Sequence, residues 1–176
     1  MVCSSGTAEG IRVTIGALNP SLFFYEYKAQ TQNWCHGSAS GPQIEDPIAI
    51  EKARILGHEI GRRGHIFING ACPGLPHEAL LSAKEQGALT IGISPAFSET
   101  EHVEEYESPL GHDMIIFTGQ GFMERDILNI RSSDAIITVG GGIGTLNELT
   151  VAYDEGRPIG IVTNSNGISN HVPHII

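Results

Sequence analysis

Short apolar runs alternate with helix-like stretches from about residue 48 onward. The runs are apolar at nearly every position, which is typical of strands buried on both faces of a sheet. They lie at His65–Asn69, Leu89–Ser94, Met114–Thr118, Asp134–Val139 and Pro158–Thr163. Because helical patterns separate the runs, the sequence predicts an α/β fold with a doubly wound, mostly parallel sheet and helices on both faces, as in Rossmann-like domains.

The helical pattern covers residues 48–63, 77–86, 122–131 and 146–155. In the third helix, Met123, Ile127 and Ile130 form an apolar stripe, which predicts the side that packs on the sheet. Arg125 lies roughly opposite this stripe. We therefore expect Arg125 either to point toward a ligand or to be an ordinary surface arginine.

The two ends of the chain do not fit the alternation. Ile11–Ala17 could form a first strand, and Cys35–Gly41 resembles a glycine-serine loop. We expect residues 1–34 to be an irregular N-terminal segment and residues 35–176 to be a Rossmann-like nucleotide-binding domain. The chain stops in the apolar segment Val172–Ile176, so we expect a final helix to be missing or truncated.

An acidic stretch interrupts the pattern between Ser98 and Asp113. It contains five Glu residues and no Lys or Arg. Because runs of like charge are usually solvated, we predict a surface loop here. A lid or a contact between two subunits is the alternative.

The charge balance argues against nucleic-acid and membrane partners. Ten Lys and Arg residues stand against twenty Asp and Glu residues, for a net charge of −10. Phosphate backbones and anionic lipids attract basic proteins instead. No apolar stretch approaches the roughly 20 residues that span a bilayer, and the N-terminus lacks the layout of a signal peptide. We expect a cytoplasmic protein.

Neither cysteines nor histidines form a metal-binding pattern. Cys3, Cys35 and Cys72 lie far apart, and the eight histidines are scattered. Only His171 and His174 have a suggestive spacing. We predict no metal site and no cofactor.

The most informative segment is the glycine-rich stretch Val139–Glu148 (VGGGIGTLNE), between a buried strand and a helix. Its glycines let the backbone approach a ligand closely, and amides at a helix N-terminus bind anions, so phosphate is the predicted guest. A Walker loop is excluded because no GK[ST] is present. Together with Asn69–Pro76 and Gly119–Arg125, the loop Gly140–Thr145 is expected at the edge of the sheet where ligands bind.

Thr145 and Glu148 allow two interpretations. Their Thr-x-x-Glu spacing is that of a capping box, which would only satisfy helix amides. A carboxylate in the first helical turn is also suited to act as a general base or to stabilise an oxocarbenium-like sugar. The two interpretations do not exclude each other.

At these residues the sequence resembles the LONELY GUY family of cytokinin-activating phosphoribohydrolases, a lysine-decarboxylase-like family of the Rossmann-like SLOG superfamily. The family pattern PGGxGTxxE, preceded by a helix that carries an Arg, is similar to Gly141–Glu148 preceded by Arg125. The resemblance extends from about Gly37 to Pro158, and Gly74-Leu75 is similar to part of a GGGxxGLM segment.

The resemblance implies a homodimer that hydrolyses the N-glycosidic bond of a nucleoside 5′-monophosphate to a free base and ribose 5-phosphate. It implies catalytic roles for Glu148, at the water or the ribosyl cation, and for Arg125, at the leaving group or the sugar. Phosphate and substrate binding would fall to Gly141, Gly142, Gly144, Thr145, Gly70, Gly74, Gly37 and Ser38.

The sequence departs from the family pattern at the rim of this site. Asp126 follows Arg125 where the family usually has Lys, and Asn147 replaces a common Glu. Gly140 replaces the Pro of the motif. A carrier of the same fold that binds a nucleotide or the molybdenum cofactor without catalysis is therefore the alternative function.

Overall fold

The computed structural model describes residues 32–37 and 42–174. The strands are β1 (Gln32–Gly37), β2 (Ile66–Asn69), β3 (Thr90–Ser94), β4 (Met114–Phe117), β5 (Ala135–Val139) and β6 (Ile159–Val162). The helices are α1 (Pro47–Arg62), α2 (Leu75–Glu85), α3 (Glu99–Glu104), α4 (Gly121–Arg131) and α5 (Ile143–Asp154). Short 3-10 helices occupy Pro42–Glu45, Ile168–Asn170 and Val172–His174. None of the described helices is long and apolar enough to cross a membrane.

The six strands form one parallel sheet in the order β4-β3-β2-β1-β5-β6. The strand order reverses between β1 and β5, so the chain winds outward from the centre in both directions. This confirms the predicted doubly wound α/β fold. In such sheets, ligands bind beyond the carboxyl ends of the strands, near the reversal; we call that side of the sheet the carboxyl edge.

The central strand β1 was not recognised in the sequence pattern. It pairs with β2 on one side and with β5 on the other, where the register runs from Asn33–Ala135 to Gly37–Val139. Its sequence, QNWCHG, has few apolar residues and no strand period. Because β1 begins at Gln32, the strand crosses the expected boundary between residues 34 and 35. The expectation of a loop starting at residue 35 was therefore wrong, whereas the candidate strand at residues 11–17 lies outside the described residues.

Helices α1 and α2 cover one face of the sheet, and their core is aliphatic. It contains Ala49, Ala53, Ile60, Leu75, Ala79, Leu80 and Ala83, packed on strand residues such as Phe67 and Val139. The two helices touch at the backbone, because a Cβ added to Gly57 would lie 1.9 Å from the Ala79 carbonyl oxygen. Small residues at this crossing let the helix axes approach closely.

Helices α4 and α5 cover the opposite face. A smaller aliphatic cluster fills this side: Ile68, Ile93, Ile130, Ile136 and Ala152. Besides Leu149, the further buried residues on these helices are polar or charged: Arg125, Asp126, Asn129, Thr145 and Glu148. The two faces therefore differ in chemistry although they flank the same sheet.

The acidic stretch contains the short helix α3, so the prediction of a surface loop was incomplete. Ser98 caps this helix by accepting a hydrogen bond from the Glu101 N–H at 3.2 Å. His102 is fully buried, and its Nδ1 lies 2.9 Å from the Ser94 hydroxyl. One buried histidine therefore anchors a segment whose charge pattern indicates only solvent exposure.

The chain after β6 folds back onto the domain. Val172 is buried and packs with Leu149 and Ile161. Two short 3-10 helices carry the described chain to residue 174. The expected final helix would lie outside the described residues.

Candidate functional site

The glycine-rich loop lies between the end of β5 and the start of α5, beside the reversal of strand order. Helix α5 begins at Ile143 with Gly142 as its N-cap, and no side chain caps it. The first amides of any α-helix lack partners within the helix, and the helix dipole makes this end partly positive. The loop therefore presents a helix start that is suited to an anion such as phosphate.

The capping-box interpretation was wrong. Thr145 is the third residue of α5 and Glu148 the sixth, so neither is at the N-cap. Thr145 is buried beneath the loop, and a Cβ added to Gly141 would lie 2.3 Å from its Oγ1. Gly141 thus makes room for Thr145, which supports the loop from below.

At Gly142 and Gly144, no neighbouring atom would clash with a larger side chain. A Cβ added at either position would meet nothing within 4 Å. Within the helix, at Gly144, glycine costs stability compared with alanine, because it loses more conformational freedom on folding. Open space in front of both glycines is what the close approach of a ligand to the backbone would require.

The loop that follows β6 holds the glycine loop in place. The Ser165 hydroxyl accepts a hydrogen bond from the Gly140 N–H at 2.8 Å, and the Ser169 hydroxyl donates to the Gly140 carbonyl at 2.6 Å. The N–H groups of Ile168 and Ser169 donate to the carbonyls of Gly141 and Gly140 at 2.8 and 3.0 Å. The conformation of the glycine loop therefore depends on a second loop at the carboxyl edge.

These bonds fix the direction of the loop amides. A peptide unit is planar and trans, so the N–H that follows a carbonyl points the opposite way. Because the carbonyls of Gly140 and Gly141 face the loop after β6, the next amides face away from it. Sequence reasoning missed Ser165 and Ser169; the turn-forming run TNSNG directly after the last strand is a signal that could have revealed them.

Arg125 lies buried at the carboxyl edge and not on the surface. Its side chain is 2 % exposed, and its Nη1 donates to the Ile93 carbonyl at 3.2 Å. Its Nη2 lies 3.7 Å from the Cys72 sulfur, while Nε has no partner among the described residues. A Cβ added to Gly70 would lie 1.9 Å from Nη1. Glycine at position 70 therefore makes room for the guanidinium.

Helix α4 buries a different side from the one predicted. Met123 and Ile127 of the predicted stripe are exposed, and only Ile130 is buried. The buried side instead carries Arg125, together with Asp126 and Asn129. Apolar periodicity could not identify this side because most of what it buries is polar.

The Cys72 thiol lies close to both predicted catalytic residues. Burial raises the pKa of Cys72; the Arg125 charge opposes this shift, and the Glu148 charge adds to it. Glu148 is fully buried, and burial together with its charge raises the pKa of Cys35 in β1 to about 12. The fold thus brings Arg125 from α4 and Glu148 from α5 to one place beside β1 and the loop after β2.

The other predicted binding residues have structural explanations or lie outside the description. Gly37 packs against β5, where an added Cβ would lie 2.5 Å from the Val139 carbonyl oxygen. Gly74 has a φ of 81° and is the N-cap of α2. Ser38 is not among the described residues. Ligand contacts at these three positions stay predictions.

Two of the departures from the family pattern contact each other. The Asn147 amide of α5 donates to Asp126 Oδ2 of α4 at 2.9 Å. Asp126 is buried next to Arg125, so this bond joins the two helices at the rim of the site. One hydrogen bond therefore connects the two positions at which the sequence departs from the family pattern.

No metal site is visible in residues 32–37 and 42–174, where no group of three or more His, Cys, Asp or Glu side chains could hold an ion. His171 and His174, whose spacing is suggestive, are both exposed.

The fold and the placement of the glycine loop define a Rossmann-like α/β protein. The family model of the SLOG cluster4 family matches residues 36–174, and the chain belongs to this family. This confirms the resemblance to the SLOG superfamily.

Known relatives include enzymes and carriers. A cytokinin riboside 5′-monophosphate phosphoribohydrolase of Mycobacterium marinum is 25% identical over 70% of this chain and 61% of its own. The molybdenum cofactor carrier protein of Chlamydomonas reinhardtii is 30% identical, with a TM-score of 0.60 over 74% of this chain and 75% of that one. An X-ray structure of a structural genomics target shares the fold, with a TM-score of 0.72, 22% identity and coverage of 83% and 82%. The chain spans 61–64% of the length of the curated relatives that it matches.

Proposed function

We propose that this protein hydrolyses the N-glycosidic bond of a nucleoside 5′-monophosphate, releasing the free base and ribose 5-phosphate. The observation that carries the proposal is the position of Arg125 and Glu148. Both are buried and come from different helices, and their charges shift the pKa of the same Cys72 thiol in opposite directions. The uncapped start of α5 lies in the same helix as Glu148, at the distance of about one and a half helical turns.

Each group has a defined task in this reaction. The amides that begin α5 bind the 5′-phosphate, with Gly142 and Gly144 leaving room for it. The bond from C1′ to the base nitrogen breaks, and its electron pair leaves with the base. Glu148 stabilises the ribosyl cation or takes a proton from the attacking water, and that proton ends on the departing base. Arg125 orients the sugar or supports the leaving group.

The buried position of the pair has a consequence for binding. Gly142 is exposed, whereas Glu148 is fully buried. A nucleotide whose phosphate lies on the exposed loop can reach Glu148 only if local groups move aside. If the same groups then close over the reacting bond, they exclude bulk water, so that a single positioned water can react.

A panel of nucleoside 5′-monophosphates tests the proposal. We expect release of free base and ribose 5-phosphate by the wild-type protein, detected by chromatography. Glu148→Gln keeps the volume of the side chain and is expected to lower turnover by about 10³-fold while nucleotide binding persists. Full activity of Glu148→Gln would show that the assigned role of Glu148 is wrong.

A carrier function is the second candidate. The identity to the Chlamydomonas molybdenum cofactor carrier protein is higher than that to the mycobacterial phosphoribohydrolase. A phosphorylated cofactor would place its phosphate on the same helix start. Nucleotide or cofactor binding without base release, measured at full occupancy, would favour the carrier over the hydrolase.

We also propose that the protein is a homodimer. The outer surfaces of α4 and α5 expose Met123, Ile127 and Tyr153, which a second copy could cover. Sedimentation is expected to give twice the monomer mass of 18.8 kDa. A stable monomer would refute this assignment.

A further inference from the structure

Two phenylalanines stand exposed at the carboxyl edge, near Arg125. Phe97 follows β3 and is 81 % exposed, and Phe122 begins α4 and is 50 % exposed. Neither belongs to an aliphatic cluster of the core among the described residues. Their rings add little to folding and are available to a ligand.

The loops that carry both rings are held together. The N–H groups of Gly119 and Gly121 donate to the carbonyls of Ala96 and Pro95, at 2.9 and 3.2 Å. Gly119 has a φ of 63°, and a Cβ there would lie 3.1 Å from the ring of Phe97. Hydrogen bonds therefore hold the backbone that carries the two exposed rings.

Phe122 is also linked to the candidate catalytic pair. The Arg125 Cζ lies 5.9 Å from the centroid of the Phe122 ring, within the range of a cation–π contact. On another side, Tyr106 meets the Phe122 ring at 5.2 Å and 76°, edge to face. The ring is thus buttressed by one neighbour and adjacent to the guanidinium that the proposed function places at the leaving group.

We propose that Phe122, with Phe97 on the adjoining loop, forms the stacking surface for the base of the bound nucleotide. This inference rests on the proposed function. The phosphate would lie on the helix start beside β1 and β5, and the base would lie above β2 and β3, on the α4 side of Arg125. A planar heterocycle stacks on an aromatic ring whatever its hydrogen-bonding edge, so the surface favours purines over pyrimidines by area and does not read one base.

The test separates the base from the phosphate. Dissociation constants for AMP and for ribose 5-phosphate, which has no base, are measured by calorimetry in the Glu148→Gln background, where turnover is suppressed. Phe122→Leu keeps an apolar side chain but removes the ring. We expect it to weaken AMP binding about tenfold and to leave ribose 5-phosphate binding unchanged. Leu81→Met, at an exposed apolar position of α2, is the control and is expected to change neither.

Several outcomes would overturn the inference. Equal weakening of both ligands in Phe122→Leu would show a structural role, and no weakening of either would show that the ring does not contact the base. A changed sedimentation coefficient of ligand-free Phe122→Leu would assign the ring to a contact between copies. If the parent protein binds neither ligand, the proposed function fails together with the inference; if it binds both and Phe122→Leu has no effect, only the inference fails.

Discussion

A pair of helices covers each face of the sheet, but the two pairs bury different kinds of residue. On the α1 and α2 side, buried residues are aliphatic or small, and Gly57 lets the helices touch at the backbone. On the α4 and α5 side, Arg125 and Glu148 are as deeply buried as any core residue. Burying charge costs free energy that aliphatic packing does not. The first face therefore provides stability, and the second gives up stability to hold chemical groups in place.

From this difference between the two faces, we expect that substitutions on one face change stability and substitutions on the other change activity. The largest effect is expected for Arg125→Met, which keeps the volume and removes the buried charge. Turnover should fall about 100-fold or more, because charge stabilisation at the reacting groups is lost. The thermal midpoint should stay level or rise in the double variant Arg125→Met/Glu148→Gln, since replacing both buried charges by neutral groups is often neutral or stabilising.

A matched substitution on the other face sharpens this prediction. Leu80→Ala removes a fully buried side chain from the aliphatic core and should cost about 3 kcal/mol of unfolding free energy. Turnover per folded molecule should be unchanged. If Arg125→Met/Glu148→Gln instead lowers the thermal midpoint as much as Leu80→Ala does, the polar face is structural and the contrast between the two faces fails.

The same glycine-to-alanine change should have opposite effects on the two faces. Gly57→Ala places a Cβ 1.9 Å from a backbone carbonyl oxygen and should cost up to about 3 kcal/mol, seen in denaturant unfolding. Gly144→Ala meets no atom within 4 Å and should be neutral or stabilising by about 0.5 kcal/mol. It should nevertheless weaken AMP binding about tenfold or more by blocking the approach to the loop. Unchanged AMP binding by Gly144→Ala would contradict the assignment of the loop.

The carboxyl end of the aliphatic face has a titratable exception, His112. Its Nε2 lies 2.7 Å from Asn69 Oδ1, which also accepts the Ala71 N–H. Because an amide oxygen can only accept, Nε2 is the donor. Burial, together with the neighbouring charges of His77, His102 and Lys84, lowers the pKa of His112 to about 4, while the Asp113 charge opposes this shift.

The sign of the pH effect follows from this depressed pKa. The unfolded chain takes up the proton near pH 6.5 and the folded protein only near pH 4. Stability should therefore fall by up to roughly 3 kcal/mol between these two pH values as the pH is lowered. His112→Gln keeps a neutral donor and should flatten the profile, measured by urea unfolding at several pH values. His58→Gln, at an exposed histidine, is the control; equal profiles for wild type and His112→Gln would refute the assignment.

The smallest effect concerns the loop after β6. Ser169→Ala removes the 2.6 Å bond to the Gly140 carbonyl, and Ser133→Ala removes a comparable buried bond of 2.9 Å to the Asn129 carbonyl. Each should cost about 1 kcal/mol of stability. Only Ser169→Ala should also weaken AMP binding, about fivefold, without changing adenosine binding. Equal AMP affinities in the two variants would show that the Ser169 bond does not position the loop.

The sequence predicted the outer strands and the glycine loop well, because apolar runs and glycine clusters are local signals. It failed at β1, whose sequence has few apolar residues although the strand pairs on both sides, and at α4, where the buried side is mostly polar or charged. Arg125 and Glu148 could be singled out from the helix pattern and the Thr-x-x-Glu spacing, and the family resemblance implied catalytic roles that stay predictions. Their proximity to Cys72 could not be predicted, because it depends on how two helices pack on one sheet.

The most direct test of the account is a crystal structure of Glu148→Gln with bound AMP. We expect the phosphate to lie within hydrogen-bonding distance of the amides at residues 142–144 and the ribose to lie beside Arg125. A nucleotide bound elsewhere on the domain, with the start of α5 empty, would contradict it.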